Sequence, residues 1–155
     1  MLNFQLSPEQ QKLQKKAREF ALKEILPVAW YYDEVDETPL SVLKKAHAVG
    51  LINGDITKKY GGKGWGLIES VVITEEFAAA CPGLATSIFD NSLGMEPLSL
   101  SKNEALKKKY FAKIQKDFRL ICFATSEPTM GSDVAGIRCK AERDGDDYIL
   151  NGTKF

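Results

Sequence analysis

The chain has 155 residues, of which 44% are hydrophobic, so it can bury a core and its composition excludes an intrinsically disordered protein. Its 21 Lys and Arg residues balance 21 Asp and Glu residues, and this net charge gives no reason to expect nucleic acid or an anionic membrane surface as a partner. The three cysteines, Cys81, Cys122 and Cys139, lack zinc-site spacing, and we expect reduced, buried thiols of an intracellular protein.

The first 50 residues carry the patterns of two amphipathic helices. The segment Ser7-Pro8-Glu9-Gln10 is typical of a helix start with a capping box, and the apolar stripe that follows predicts a helix ending near Pro27. Thr38 stands before a proline, which predicts a second helix start. Gly50 followed by Leu51 suits a left-handed helix end with its hydrophobic contact.

Three further helices are predicted, over Leu67–Ala80, Leu84–Leu100 and Asn103–Lys116. The fourth is apolar on most sides, which indicates burial. The residues expected to face inward are Ile68, Val71, Val72, Glu75, Ala78 and Ala79 on the third helix and Leu106, Tyr110 and Ile114 on the fifth. The apolar region from 71 to 93 contains three acidic residues, so no membrane span is expected, and no targeting peptide is visible at the N-terminus.

The hydrophobic period changes after Phe118. Short β-like runs cover Arg119–Thr125, Ile137–Glu142 and Tyr148–Leu150, the last two joined by an Asp-Gly-Asp turn. The sequence therefore predicts a mainly α fold, in which an N-terminal helical bundle domain, residues 1–118, precedes the first strands of a barrel-like or sandwich-like β domain, residues 119–155.

Three features that invite a functional interpretation favour structural roles instead. The glycine cluster between Tyr60 and Leu67 lacks both the order and the preceding strand of a phosphate loop, and we interpret it as a turn. His47 has no second ligand or nucleophile nearby in the sequence, so we expect a surface or structural histidine. Glu75 and Glu76 are helix neighbours that point in different directions, which argues against a paired-carboxylate site. No metal site is expected.

The loop Ser126–Ser132 is the strongest candidate for a ligand contact. A Glu-Pro pair enters the turn, Gly131 allows close approach of backbone amides, and short hydroxyl side chains stand at both ends. Such a loop can bind the polar edge of a cofactor. An ordinary connection between strands is the alternative that these residues leave open.

The segments Ala124–Gly136 and Tyr148–Phe155 closely resemble the flavin-binding region of the acyl-CoA dehydrogenase family. The resemblance continues in order through the turn Tyr60–Gly64, the helix motif Asn91–Gly94 and the basic run Lys107–Tyr110, so it spans nearly the whole chain. It implies a helical N-terminal domain, a central β domain, a C-terminal helical bundle and bound FAD.

The resemblance assigns cofactor contacts to Phe123, Thr125, Ser126 and Ser132, the last of which would also contact acyl-CoA. Two departures stand in this region, because Thr125 replaces a larger aliphatic residue and Met130 a very small one. Met130 could narrow the space beside the flavin or merely pack outward. The residues that match the bottom of the family's acyl cavity are Ala85, Thr86, Phe89 and Leu93.

Phe89 bears on the substrate. Its ring would shorten the cavity and disfavour long straight acyl chains, although Phe89 could also be ordinary core. No Lys or Arg lies between Cys81 and Ser101, which weakens a glutaryl-CoA interpretation.

The resemblance implies oxidation of an acyl-CoA thioester to a trans-2-enoyl-CoA, with electron-transfer flavoprotein as acceptor and a homotetrameric assembly. The family's glutamate base lies in the C-terminal bundle, so no catalytic residue is assigned here and we expect no turnover by these 155 residues alone. We also expect the strands after residue 119 to be disordered or to associate through their edges.

An acyl-CoA oxidase and a non-catalytic helical interaction module are the alternatives to a dehydrogenase. Cytoplasm is the expected compartment, with the mitochondrial matrix as alternative.

Overall fold

The computed structural model describes residues 4–155, which form two compact units, one running to Cys122 and the other spanning Phe123–Phe155. The first unit is helical, and the second contains a two-stranded antiparallel sheet. This confirms the predicted fold class, a mainly α chain whose helical bundle precedes its first strands. The domain boundary after residue 118 stays a prediction; residues 119–122 pack with the first unit.

The first helix, α1, spans Pro8–Phe20 and begins with the predicted capping box. The Gln10 backbone amide donates to Ser7 Oγ at 3.2 Å, and the Ser7 amide donates to Gln10 Oε1 at 2.9 Å. The predicted end near Pro27 is wrong. The helical path continues as a π turn and a 3-10 turn, and a short helix, α2, then spans Ala29–Val35. Pro27 is tolerated because it lies in the first turn of the 3-10 segment, where its missing N–H is not needed.

The third helix, α3, spans Leu40–Ala48. Its N-terminal end differs from the sequence prediction, whereas its C-terminal end agrees with it. Thr38 provides no side-chain cap; instead its carbonyl accepts a hydrogen bond from the Leu40 amide at 2.7 Å. The C-terminal end is as predicted. Gly50 has φ of 66°, and the amide of buried Leu51 donates to the Ala46 carbonyl at 2.8 Å.

Three longer helices complete the first unit: α4 over Leu67–Ala80, α5 over Pro82–Leu100 and α6 over Glu104–Lys116. Their predicted existence and type are confirmed, but the buried faces of α4 and α6 differ from the prediction. The buried residues are Val72, Ile73, Glu76 and Phe77 on α4 and Phe111 and Ile114 on α6, while Ile68, Val71, Leu106 and Tyr110 are exposed. The face of α4 is set by its packing on both α1 and α5.

The main core joins α1, α3, α4 and α5 around Phe77, which is fully buried and lies 5.4 Å from Phe20, measured between ring centroids. An ion pair between the exposed Arg18 side chain and the buried Glu76 carboxylate ties α1 to α4. The guanidinium of Arg18 donates two hydrogen bonds of 2.7 Å to the two carboxylate oxygens of Glu76. The bidentate contact raises the pKa of Arg18, first through the hydrogen bond and then through the charge of Glu76. A smaller apolar cluster packs α5 against α6.

The second unit has one hairpin, whose strands are β1, Lys140–Asp144, and β2, Asp147–Asn151. Gly145 has φ of 61° in the tight turn between them. The predicted strand over Arg119–Thr125 is wrong, because no strand among the described residues pairs with it. The predicted strand start at Ile137 is also too early.

The three thiols are free, but the prediction that all are buried is wrong. Cys122 is exposed on the irregular segment after α6, and Cys81 and Cys139 are half-buried. Within residues 4–155, the helices are too short or too polar to cross a bilayer.

Candidate functional site

The face between α4 and α5 contains an open cavity of about 360 Å³. All four residues predicted to line an acyl site, Ala85, Thr86, Phe89 and Leu93, border it. They meet there because their spacing along α5 places them on one helical face. The opposite wall comes from Thr74 and Ala78 of α4, and Pro82 and Asp90 complete the lining.

The cavity presents carbon atoms despite its two threonines. The hydroxyl of Thr86 donates to the Pro82 carbonyl at 3.0 Å, and that of Thr74 donates to the Ser70 carbonyl at 2.8 Å. Both hydroxyls are therefore used within their own helices, which leaves their methyl groups for the cavity. Asp90 is the charged residue of the described lining, and it is exposed at the rim. The arrangement suits an apolar ligand chain.

Phe89 is fixed between the cavity and the core. It is half-buried, lines the cavity and packs on the main cluster, with its ring centroid 6.2 Å from that of Phe77 at an interplanar angle of 43°. Phe89 therefore combines both predicted positions: one part of its side chain lines the cavity, and another packs against the core. Its neighbour Phe77 is fully buried, so the Phe89 ring cannot retreat inward without displacing core atoms.

A buried asparagine on α5 organises the segment after α6, and the sequence reasoning missed it. Asn91 is 2% exposed; its Nδ2 donates to Asn53 Oδ1 at 3.1 Å and to the Arg119 carbonyl at 2.9 Å. Its Oδ1 accepts from the Ile121 amide at 2.9 Å. This use of the Ile121 amide is one reason why no strand forms there. A buried asparagine within an otherwise apolar helix is the signal that could have found this network.

Gly94 lets the same segment approach α5. A Cβ at this position would lie 2.7 Å from Ile121 Cγ2 and 2.8 Å from the Ile121 carbonyl oxygen, closer than real Cβ contacts. The motif Asn91–Gly94 therefore has a physical explanation: its asparagine binds the segment after α6, and its glycine makes room for it.

The loop of the second unit is closed by a pair of backbone hydrogen bonds. The Glu127 amide donates to the Met130 carbonyl at 2.9 Å, and the Met130 amide donates to the Glu127 carbonyl at 3.1 Å. Pro128 and Thr129 form the turn between them. Met130 is 8% exposed and belongs to the buried side chains of the chain.

The Glu127 carboxylate clamps this loop to the rest of the second unit. It accepts the Lys154 ammonium at 2.9 Å, the Arg138 amide at 2.8 Å and the Cys139 amide at 2.9 Å. These three donors, Lys154 first, lower the pKa of Glu127 from 4.5 to about 2. Because both amides are used in this way, the hairpin pairing begins only at Lys140.

The residues predicted to contact a cofactor present mainly hydrogen-bond donors. The Thr125 carbonyl accepts from Lys154 Nζ at 2.9 Å, and the Ser126 carbonyl accepts from the Phe155 amide at 3.1 Å. In the part of the chain that the structure describes, the side-chain hydroxyls of Thr125, Ser126 and Ser132 and the amides of Thr125 and Ser126 have no hydrogen-bond partner. The two serines are exposed, Thr125 is half-buried, and Phe123 is 47% exposed. The chemistry of this donor set fits a ligand edge rich in acceptor atoms, such as that of a flavin ring.

The other candidate residues have structural contacts. His47 Nε2 lies 3.2 Å from the Ile114 carbonyl oxygen, and its ring packs edge-on against Phe118. Glu76 is buried against Arg18, whereas Glu75 is exposed, so the two carboxylates diverge. Over residues 4–155, no group of three or more His, Cys, Asp or Glu side chains is placed to hold a metal ion.

Comparison with known proteins places residues 7–117 in the family described as acyl-CoA dehydrogenase, N-terminal domain. A probable medium-chain specific acyl-CoA dehydrogenase 2, mitochondrial, of Caenorhabditis briggsae is 36% identical over 153 residues, 99% of this chain and 38% of that protein. An acryloyl-CoA reductase (NADH) of Anaerotignum propionicum is 33% identical over 155 residues, 99% of this chain and 39% of that protein.

A solved structure of an acyl-CoA dehydrogenase complexed with FAD, from Bacillus anthracis, superimposes with a TM-score of 0.88. The superimposed region is 30% identical in sequence, and it covers 99% of this chain and 27% of the Bacillus anthracis chain. The chain spans about two fifths of the length of the curated relatives it matches.

Proposed function

Because the chain belongs to the acyl-CoA dehydrogenase family, we propose that it forms the N-terminal part of an enzyme that oxidises an acyl-CoA thioester to a trans-2-enoyl-CoA. The observation that carries the proposal is the α4–α5 cavity, where the four residues expected to line an acyl site share one apolar surface. FAD, when bound, supplies the hydride acceptor of this chemistry. The base that takes the α-proton is not assigned to any residue of this chain.

The loop of the second unit would hold the cofactor. The free amides and hydroxyls of Thr125 and Ser126 would donate to the flavin ring, and Ser132 would donate to the cofactor and to the thioester substrate. Phe123 offers an exposed aromatic face next to them. The Glu127 clamp would keep these donors in place, since it fixes the backbone on both sides of the turn. Preorganised donors of this kind orient a cofactor without reorganisation during the reaction.

The substrate that fits best is a short acyl chain without a second carboxylate. Phe89 closes the cavity with a ring that the core holds in place. The described lining includes no cationic side chain that would pair with a distal carboxylate. Asp90 at the rim would also repel such a group.

The remaining parts of the proposal follow from the family. Electron-transfer flavoprotein is the proposed electron acceptor, and the proposed assembly is a homo-oligomer. The compartment is proposed to be the cytoplasm. The mitochondrial matrix is the alternative, because one relative is named as mitochondrial.

Enoyl-CoA reduction is a second candidate, favoured by the 33% identity to an acryloyl-CoA reductase. It would use the same cavity and the same cofactor donors in the opposite direction. Oxidation of NADH by the natural full-length gene product, with acryloyl-CoA present, would support it. Oxidation of propionyl-CoA or butyryl-CoA without any NADH-linked reduction would exclude it.

The test of the main proposal is the absorbance spectrum of the natural full-length gene product, followed by anaerobic titration with butyryl-CoA and octanoyl-CoA. We expect a flavin spectrum that butyryl-CoA bleaches. Rapid reoxidation by oxygen would indicate an oxidase instead. A colourless protein that cannot be loaded with FAD would refute both enzyme proposals and favour the interaction module.

Phe89→Ala in that protein tests the cavity wall. The enlarged cavity should raise kcat/KM for octanoyl-CoA relative to butyryl-CoA, because each additional methylene then finds space. Leu67→Ala, at an exposed position of α4, is the matched control and should leave the ratio unchanged. An unchanged ratio in the Phe89 variant would remove this ring from the acyl site.

The 155-residue polypeptide provides a complementary test, because no residue in it is assigned as the base. We expect no dehydrogenation of butyryl-CoA by this polypeptide with an artificial electron acceptor. Measurable turnover would mean that a base lies within the described residues.

A further inference from the structure

A second cleft of the first unit, of about 530 Å³, lies between α1 and the segment leading into α4. Its volume is within the range of small-molecule sites, about 300–1,000 Å³. Four lysines share its lining: Lys12, Lys16, Lys58 and Lys63. We refer to it as the lysine cleft. None of its described lining residues borders the α4–α5 cavity.

Two of the four ammonium groups are held close together by the fold. Lys16 Nζ donates to the Val49 carbonyl at 2.5 Å. Gly50 follows Val49 in the chain, and Lys63 Nζ lies 3.0 Å from the position that a Cβ on Gly50 would take. Both ammonium groups therefore lie next to the Val49–Gly50 backbone. Burial lowers the pKa of Lys16, and the charge of Lys63 lowers it further. The repulsion between these charges would be relieved by a bound anion.

The other two ammonium groups are available to a ligand. Within the described residues, Lys12 and Lys58 have neither an ion pair nor a hydrogen bond through their side chains. They line the lysine cleft from two different elements, Lys12 from α1 and Lys58 from the segment after α3. Two such groups can bind an anion that carries more than one phosphate.

The two acidic residues of the lysine cleft offset only part of the charge of its four lysines. The Glu69 carboxylate is already engaged, because it accepts Gln10 Nε2 at 2.8 Å and the Gly66 amide at 3.0 Å. Glu9 lies in the first turn of α1, where the positive end of the helix dipole attracts it. Four lysines against two glutamates leave the lining with an excess of positive charge.

Leu13 and Trp65 supply the apolar part of the lining of the lysine cleft, which includes an aromatic ring. One side of the indole lies against the Gly54 backbone, where a Cβ would stand only 2.0 Å from Trp65 Cε3. Lys63 Nζ lies 5.7 Å from the ring centroid. An indole next to ammonium groups favours an anion that also carries a planar organic group over a bare inorganic ion.

We propose that the lysine cleft is a binding site for a small organic polyanion of the nucleoside diphosphate class. Its phosphates accept hydrogen bonds from Lys12, Lys58 and Lys63, and its base packs against Trp65. The site is separate from the proposed acyl cavity, so its presence does not depend on the proposed oxidation of acyl-CoA.

The experiment is calorimetric titration of the 155-residue chain with ADP, pyrophosphate and adenosine. We expect ADP to bind most tightly, pyrophosphate more weakly and adenosine least. The double variant Lys12→Gln/Lys58→Gln should weaken ADP binding by at least about tenfold, because the loss of even one charged contact is worth about that factor. The matched control Lys15→Gln/Lys108→Gln removes the same charge outside the lysine cleft and should change the affinity less than about twofold.

Fluorescence provides a measurement that does not depend on the lysine variants. Trp30→Phe leaves Trp65 as the one tryptophan of the chain, and ADP should then change its emission. Absence of ADP binding at millimolar concentration overturns the proposal, as does an equal loss of affinity in the control variant. Equal affinities for pyrophosphate and ADP would remove the role given to Trp65.

Discussion

The two units of the chain are stabilised by different interactions. The helical unit buries a continuous apolar cluster, with Phe77, Ile73 and Ile25 fully enclosed. In the second unit every residue of both strands is exposed, and Glu127 and Met130 are the buried residues among those described. Apolar burial thus holds the first unit, whereas the second depends on backbone hydrogen bonds and on one carboxylate with three donors. The following predictions test this contrast, beginning with the largest expected effect.

Phe77→Ala should destabilise the helical unit by about 3–5 kcal/mol, because it removes the largest fully buried ring and leaves a cavity. Urea denaturation followed by far-UV circular dichroism measures this change. Leu67→Ala on the same helix, at a position 78% exposed, should change stability by less than about 0.5 kcal/mol. Similar effects in the two variants would contradict the assigned core.

Asn91→Ala should cost about 2–3 kcal/mol, since it leaves the Ile121 amide and two carbonyl-type oxygens without their partner. Urea denaturation measures the cost, and hydrogen exchange should be faster at the Ile121 amide. The neighbouring Ser92→Ala serves as the control. Unchanged protection of Ile121 would mean that the segment after α6 is held by apolar contacts instead.

The second unit should respond to pH through Glu127. Its folded pKa of about 2 lies below the ordinary value of 4.5, so its stabilising contribution is complete above about pH 4.5 and disappears as pH falls to about 2. The amide resonances of Arg138 and Cys139 should therefore titrate with a midpoint near pH 2. In Glu127→Gln this titration should be absent. A wild-type midpoint near 4.5 would show that the clamp does not form in solution.

Tyr148→Ala should have the smallest effect, within about 0.5 kcal/mol, although it removes an aromatic ring as Phe77→Ala does. The Tyr148 side chain is 63% exposed on β2. Urea denaturation again measures the effect, and Phe77→Ala is its counterpart in the first unit. A loss above about 1 kcal/mol would indicate that another surface covers this strand in solution.

What the sequence predicted well depends on short-range interactions. The capping box joins Ser7 to a residue three positions on, and the glycine that ends α3 needs only its own φ. Helix bounds such as Leu67–Ala80 likewise depend on interactions between residues that are close in the sequence. The inner face of α4 was predicted incorrectly because α1 and α5 together select it. The Glu76 pair with Arg18 is likewise a contact between distant parts of the chain.

The candidate site likewise has features that short-range spacing predicted and features that depend on distant parts of the chain. The spacing of Ala85, Thr86, Phe89 and Leu93 on one helix was enough to place them at one cavity. The partners in the Glu127 clamp and in the Asn91 network could not be read from the sequence, because they lie 11 to 38 positions away, although the asparagine itself was a signal that such a network exists. The cofactor roles of Thr125, Ser126 and Ser132 stay predictions, since they depend on a ligand.

The network of Asn91 also bears on the order of events during synthesis. Helices α1 to α5 form a core from residues that emerge early, and domains generally fold as units, the N-terminal one first. Asn91, however, obtains its Arg119 and Ile121 partners only after nearly 30 further residues have been translated. A nascent chain halted before Arg119 would hold a collapsed bundle in which the Asn91 carboxamide has only its Asn53 contact and its oxygen has no donor, a species that a chaperone could recognise. Completion of the helical unit is thus timed to the moment when the second unit begins to emerge.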